Sequence, residues 1–179
     1  KPPEEIAGAA AFIVWRIAQN SLKTMRAARF DLPPGPRYFA FMAEFLTFLT
    51  LGADRLAHRR GDDAWRVAFT TAIANRVGEI LAENESDLLG TTSAADVKRR
   101  YIAQVNACAE ECAEFAWGDE GPDYGLLRYF GHRVADLMSA KYGGITVEFL
   151  VANATVRVRP RWAFGIAHDD FTGSPTRWA

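Results

Sequence analysis

The chain has 179 residues, 49% of them hydrophobic, with 21 basic and 22 acidic side chains and a formal net charge of −1. That length suits a single domain burying about 70% of its unfolded surface, and the hydrophobic content excludes global disorder. The balanced charge excludes a broad positive field for gripping nucleic-acid backbones. Two cysteines in so long a chain make no disulfide framework, which points to a reducing, cytoplasmic setting.

Pro2, Pro3, Glu4 and Glu5 open the first predicted helix, because proline fits the first turn and acids complement the dipole. The apolar run after them is no secretory signal, since its flank is acidic and Arg16 interrupts it. Lys1 in place of an initiator Met leads us to expect a chain trimmed from a longer one. Ile6, Ala10, Ile13 and Ile17 recur at helical steps beside Val14, Ala18, Leu22 and Met25, and the proline-rich stretch from Asp31 to Arg37 ends the helix. From Tyr38 to His58 the polar residues Thr47, Asp54, Arg55 and His58 fall within roughly 80° of Glu44 on a helical projection. Apolar side chains cover the rest of that helix, so it is expected at the centre of the domain. Its apolar part, from Tyr38 to Ala53, is too short to span a bilayer and carries Glu44 near its middle, so no membrane role is expected.

Gly61 stops the central helix, and Asp62 or Asp63 caps a third helix antiparallel to it, with Trp65, Phe69, Ala72 or Ile73, Val77 and Ile80 inward. The polar stretch ENESDLLGTTS reads as the next connection. Ser93 with Asp96 resembles a capping box, and Val97, Tyr101, Val105, Cys108, Cys112 and Phe115 continue as a clean amphipathic stripe. Asp123 caps a fifth helix carrying Leu127, Phe130, Val134, Leu137 and Lys141, closed by Gly143 and Gly144. Residues 145–159 fit a sixth helix better than the β-hairpin that their β-branched residues also allow. The expected architecture is an all-α, single-domain bundle of five to six helices over 1–164, with an irregular tail over 165–179.

No motif of known chemistry appears: there is no P-loop, no G-x-G-x-x-G, no G-x-S-x-G and no Glu-x-x-His pair. Cys108 and Cys112 share a helix face with Val105 and Phe115 and read as small apolar core residues. Arg128, His132 and Asp136 line one face at steps of four and read as a solvated row. The basic run Arg157 to Trp162 is offset by Asp169 and Asp170, so no nucleic-acid partner is expected. No catalytic set, metal-ligand set or cofactor is indicated. Phe12, Trp15 and Phe39 lie off the main stripes of their helices and are candidates for an interface, through self-association or a protein partner. The leading expectation is a non-enzymatic helical interaction protein acting through an apolar helix face. The alternative is a small-molecule or metal-binding bundle or enzyme, with Phe41, Phe48, Trp65 and Phe69 around a pocket and Glu44 and His58 as its polar ligand-binding residues.

Overall fold

The structure is a computed structural model and describes residues 1–30, 32–59, 61–90, 93–118 and 121–138. Helix makes up 81% of these residues, in an all-α bundle. Its helices are α1 (Pro3–Ala27), α2 (Pro36–His58), α3 (Asp63–Leu89), α4 (Ala94–Glu111) and α5 (Tyr124–Leu137). Between α4 and α5, β1 (Trp117–Gly118) pairs antiparallel with β2 (Gly121–Pro122), placing Trp117 opposite Pro122. No helix among the described residues is long and apolar enough to cross a membrane.

The central position of α2 follows from its composition, and it packs against all four other helices. Phe41, Met42, Leu46 and Leu49 are buried, as are Phe45 and Phe48, whose rings pack on Phe130 of α5 at 5.0 and 4.4 Å between centroids. The direction of each neighbour is legible in its contacts. Asp54 meets Arg66 and Thr70, whereas Phe39 and Ala43 share a cleft with Leu81 and Glu85, so α2 and α3 run antiparallel. Thr50 bonds Tyr101, and Arg55, further along α2, bonds the carbonyl of Cys112, so α4 runs with α2.

Local chemistry fixes the element ends. The side chains of Asp62, Ser93 and Asp123 each accept a hydrogen bond from the backbone N–H three residues on, at Trp65, Asp96 and Leu126, satisfying an otherwise orphaned donor. Ser93 forms only half of the capping box, because the Asp96 carboxylate pairs with Arg99. Arg26 donates to the carbonyl of Leu32 at 2.8 Å and lies over the Tyr38 ring, tying the proline-rich loop back to α1.

Two expectations need correction here. The stretch ENESDLL is no connection but the last two turns of α3. Its Glu85 turns inward and is buried, where Arg100 of α4 pairs with it at 3.0 Å. The stop comes at Gly90, whose φ of 70° is the left-handed conformation that terminates a helix. On α1 the buried face is Ala7, Ala10, Ala11, Val14, Trp15, Ala18 and Leu22, while Ile6, Ile13 and Ile17 are only partly covered. Alanines on that face allow close packing, and the rotation carries Trp15 inside. Fifth-helix residue Lys141, the segment 145–159 and the tail 165–179 lie outside the described residues.

Gly52 of α2 is a close-approach position, since a Cβ there would lie 2.7 Å from the Trp117 ring. Gly8, on the exposed side of α1, has open space around it. Gly52→Ala should therefore destabilise the fold by about 1–3 kcal/mol through overpacking. Gly8→Ala should stabilise it by about 0.5–1 kcal/mol through helix propensity. Urea unfolding of the two variants measures both.

Candidate functional site

The polar residues of α2 do not converge on one site; each is taken by a different neighbour. Glu44 forms a bidentate ion pair with Arg133 of α5, at 2.7 Å to Nε and 2.9 Å to Nη2, with both side chains largely covered at 13% and 29% exposure. The remaining Nη1 of Arg133 donates to Tyr129 at 3.1 Å and to Glu111 at 3.3 Å, and the Tyr129 hydroxyl donates to Glu111. Cys108 Sγ lies 3.7 Å from the same hydroxyl. The hydrogen bonds to Glu44 raise the Arg133 pKa above its ordinary value. These groups are spent on one another, so the cluster is a lock joining α2, α4 and α5.

Nearly three helical turns toward the C-terminus, Asp54 accepts from Arg66 Nε at 2.8 Å, from Arg66 Nη2 at 2.6 Å and from Thr70 Oγ1 at 2.7 Å. Burial alone would raise the Asp54 carboxyl, but the bonds from Arg66 and Thr70 and the charges of Arg66 and Arg55 outweigh it and hold the pKa below 3.8. His58 is exposed, with Nδ1 at 3.4 Å from Arg66 Nη1. Glu44 and His58 thus belong to separate interactions, and at about 1.5 Å of rise per residue they stand about 21 Å apart along α2. They do not form a common ligand site.

The aromatics sort differently from expectation as well. Phe12 is 57% exposed, with the Arg16 guanidinium 6.0 Å from its ring centroid. Trp15 and Phe39 are core residues at 7% and 4% exposure, so neither offers spare surface. The reason is geometric: Trp15 shares the buried alanine face of α1, and Phe39 sits where α2 meets α3 and α4. Phe41, Phe48 and Phe69 fill the core, and Trp65 stacks on Phe69 at 5.3 Å. Arg128, His132 and Asp136 are exposed, as a solvated row requires.

Cys108 and Cys112 are free and buried. Burial raises both thiols, Cys112 to about 11, which leaves them protonated and weakly nucleophilic at neutral pH. Among the described residues no group of three or more His, Cys, Asp or Glu side chains is placed to hold a metal ion.

What remains is a cleft of about 240 Å³ between the first turns of α2, the end of α3 and the middle of α4. Phe39, Ala40, Ala43, Leu81 and Val97 give it apolar walls, and the Arg100–Glu85 pair stands at its edge. Gln104 also lines it, and its Nε2 is enclosed without a hydrogen-bond partner. The sequence gives no sign of this site, because Gln104 reads as an ordinary polar position on an amphipathic helix.

Asp54 supplies a pH test. A carboxyl whose folded pKa lies below its unfolded value stabilises fully above the unfolded value and loses that contribution as pH falls through the folded one. At neutral pH, Asp54→Asn should cost about 1–2 kcal/mol. The deficit relative to wild type should shrink as pH falls below 3.8, the ordinary value that Asp54 lies beneath. Denaturant titrations of both proteins across that range measure it. Compared with protein-family models, with curated proteins and with solved structures, the chain finds no match.

Proposed function

We propose that the chain is a ligand-binding helical bundle, and that the cleft between α2, α3 and α4 holds a small molecule with an apolar body and a hydrogen-bond acceptor. The observation that carries this reading is Gln104 Nε2, an enclosed donor with no partner. Leaving such a donor unpaired costs about 1–3 kcal/mol, and groups of this kind concentrate where a ligand completes them. The apolar walls supply burial, the amide supplies orientation, and the Arg100–Glu85 pair at the edge adds no net charge. At about 240 Å³ the cleft falls below the usual ligand-pocket range of about 300–1,000 Å³, so the occupant is small.

The interaction reading has less to rest on. Of the three aromatics expected at an interface, only Phe12 faces solvent. Among the described residues the other large exposed apolar side chains, Val67, Leu88 and Tyr124, are spread over α3 and α5.

Gln104→Leu separates a binding group from a structural one. Without ligand the variant should be as stable as wild type or more stable, by up to about 1 kcal/mol, because it removes the unpaired donor. In a thermal-shift screen of small amides, esters and carboxylates, compounds that stabilise wild type should fail to stabilise the variant. A loss of stability in the unliganded variant, or an unchanged screen, would contradict the proposal.

A further inference from the structure

A second cleft, of about 210 Å³, lies beside the C-terminal half of α2, toward the opposite end of the α2–α3 pair from Gln104. Leu51 and Leu126 line it with the Trp117 ring, and its polar side chains are Asp54, Arg55 and Arg66. The inventory of its hydrogen-bonding groups is one-sided. Asp54 has both oxygens occupied, by two bonds from Arg66 and one from Thr70, so it has little left to offer a cation. Arg55 spends Nη2 on the carbonyl of Cys112 at 3.0 Å, and its Nε and Nη1 have no protein acceptor among the described residues. Trp117 Nε1 is enclosed and has no partner either. The side-chain groups left over are donors, and Arg55 and Arg66 against Asp54 leave one positive charge.

We infer that this cleft binds a small organic monoanion, a carboxylate on a compact apolar body, with the carboxylate between Arg55 and the indole N–H of Trp117. Arg55 meets the charge, and the Trp117 N–H supplies a directed bond in a place where an unpaired donor is costly. Leu51 and Leu126 cover the apolar part. Cys112, which also lines the cleft, is neutral there because burial raises its thiol to about 11, so it does not repel the anion. The inference is independent of the Gln104 cleft, since the two share no lining residue.

Benzoate and its neutral counterpart benzamide are the probes. The Trp117 indole N–H resonance is assigned by its loss in Trp117→Phe, because the chain has five tryptophans. Benzoate should shift that resonance saturably, and benzamide at the same concentration should shift it much less. By calorimetry, Trp117→Phe should weaken benzoate binding at least fivefold. Arg55→Lys, which keeps the charge, should bind more tightly than Arg55→Met. If Arg55→Met unfolds through loss of its hold on Cys112, Trp117→Phe still decides the matter. An indole resonance that benzoate leaves in place, or that benzamide moves equally, overturns the proposal. So does a Trp117→Phe variant that binds benzoate like wild type.

Discussion

The structure depends on the enclosure of α2. A helix covered on nearly every side leaves most of its polar groups partly or wholly shielded from water, where an unpaired charge or hydroxyl is costly. Each must therefore find a partner on whichever element covers it. Glu44 finds Arg133 on α5, Thr50 finds Tyr101 on α4, Asp54 finds Arg66 and Thr70 on α3, and Arg55 finds the carbonyl of Cys112 at the end of α4. Apolar burial drives collapse without direction. These four contacts add direction, because each is met by only one placement of the neighbouring helix. Thr47 is the exception: it is buried, and its Oγ1 has no partner among the described residues. We have no physical account of it.

The same logic isolates the two clefts. Once the α2 polar groups are spent on packing, the enclosed side-chain atoms without partners among the described residues are Thr47 Oγ1, Gln104 Nε2 and Trp117 Nε1. Two of those three line a cleft. One cleft lies beside Phe39, Ala40 and Ala43, the other beside Leu51, Asp54 and Arg55, so α2 forms a wall of both. Gly52 contributes to the second by letting the Trp117 ring lie against the helix backbone.

Much of the fold was legible because it rests on local periodicity. The narrow polar stripe of α2 implied enclosure, and the caps at Ser93 and Asp123 were marked by residue type and spacing. The end of α3 was not legible. Glu83, Asn84, Glu85 and Ser86 look like loop composition, and only Arg100 on the next helix shows why Glu85 turns inward. Trp15 was misplaced because its stripe was centred on the isoleucines, whereas the alanine face permits the closer approach. The site was less legible still. Glu44 and Arg133 are 89 residues apart, and no pattern in either helix names the other. Gln104 and Trp117 gain meaning only from what surrounds them in three dimensions.

The polar groups of α2 act as locks between helices rather than as a shared ligand site, and the coupling of Glu44 to Arg133 measures that role. A double-mutant cycle with Glu44→Gln and Arg133→Met, followed by denaturant unfolding, isolates their coupling. The pair is largely covered and bidentate, so the coupling should be about 1–3 kcal/mol, between the values of exposed and fully buried pairs. A coupling below about 0.5 kcal/mol, typical of a surface ion pair, would contradict the account.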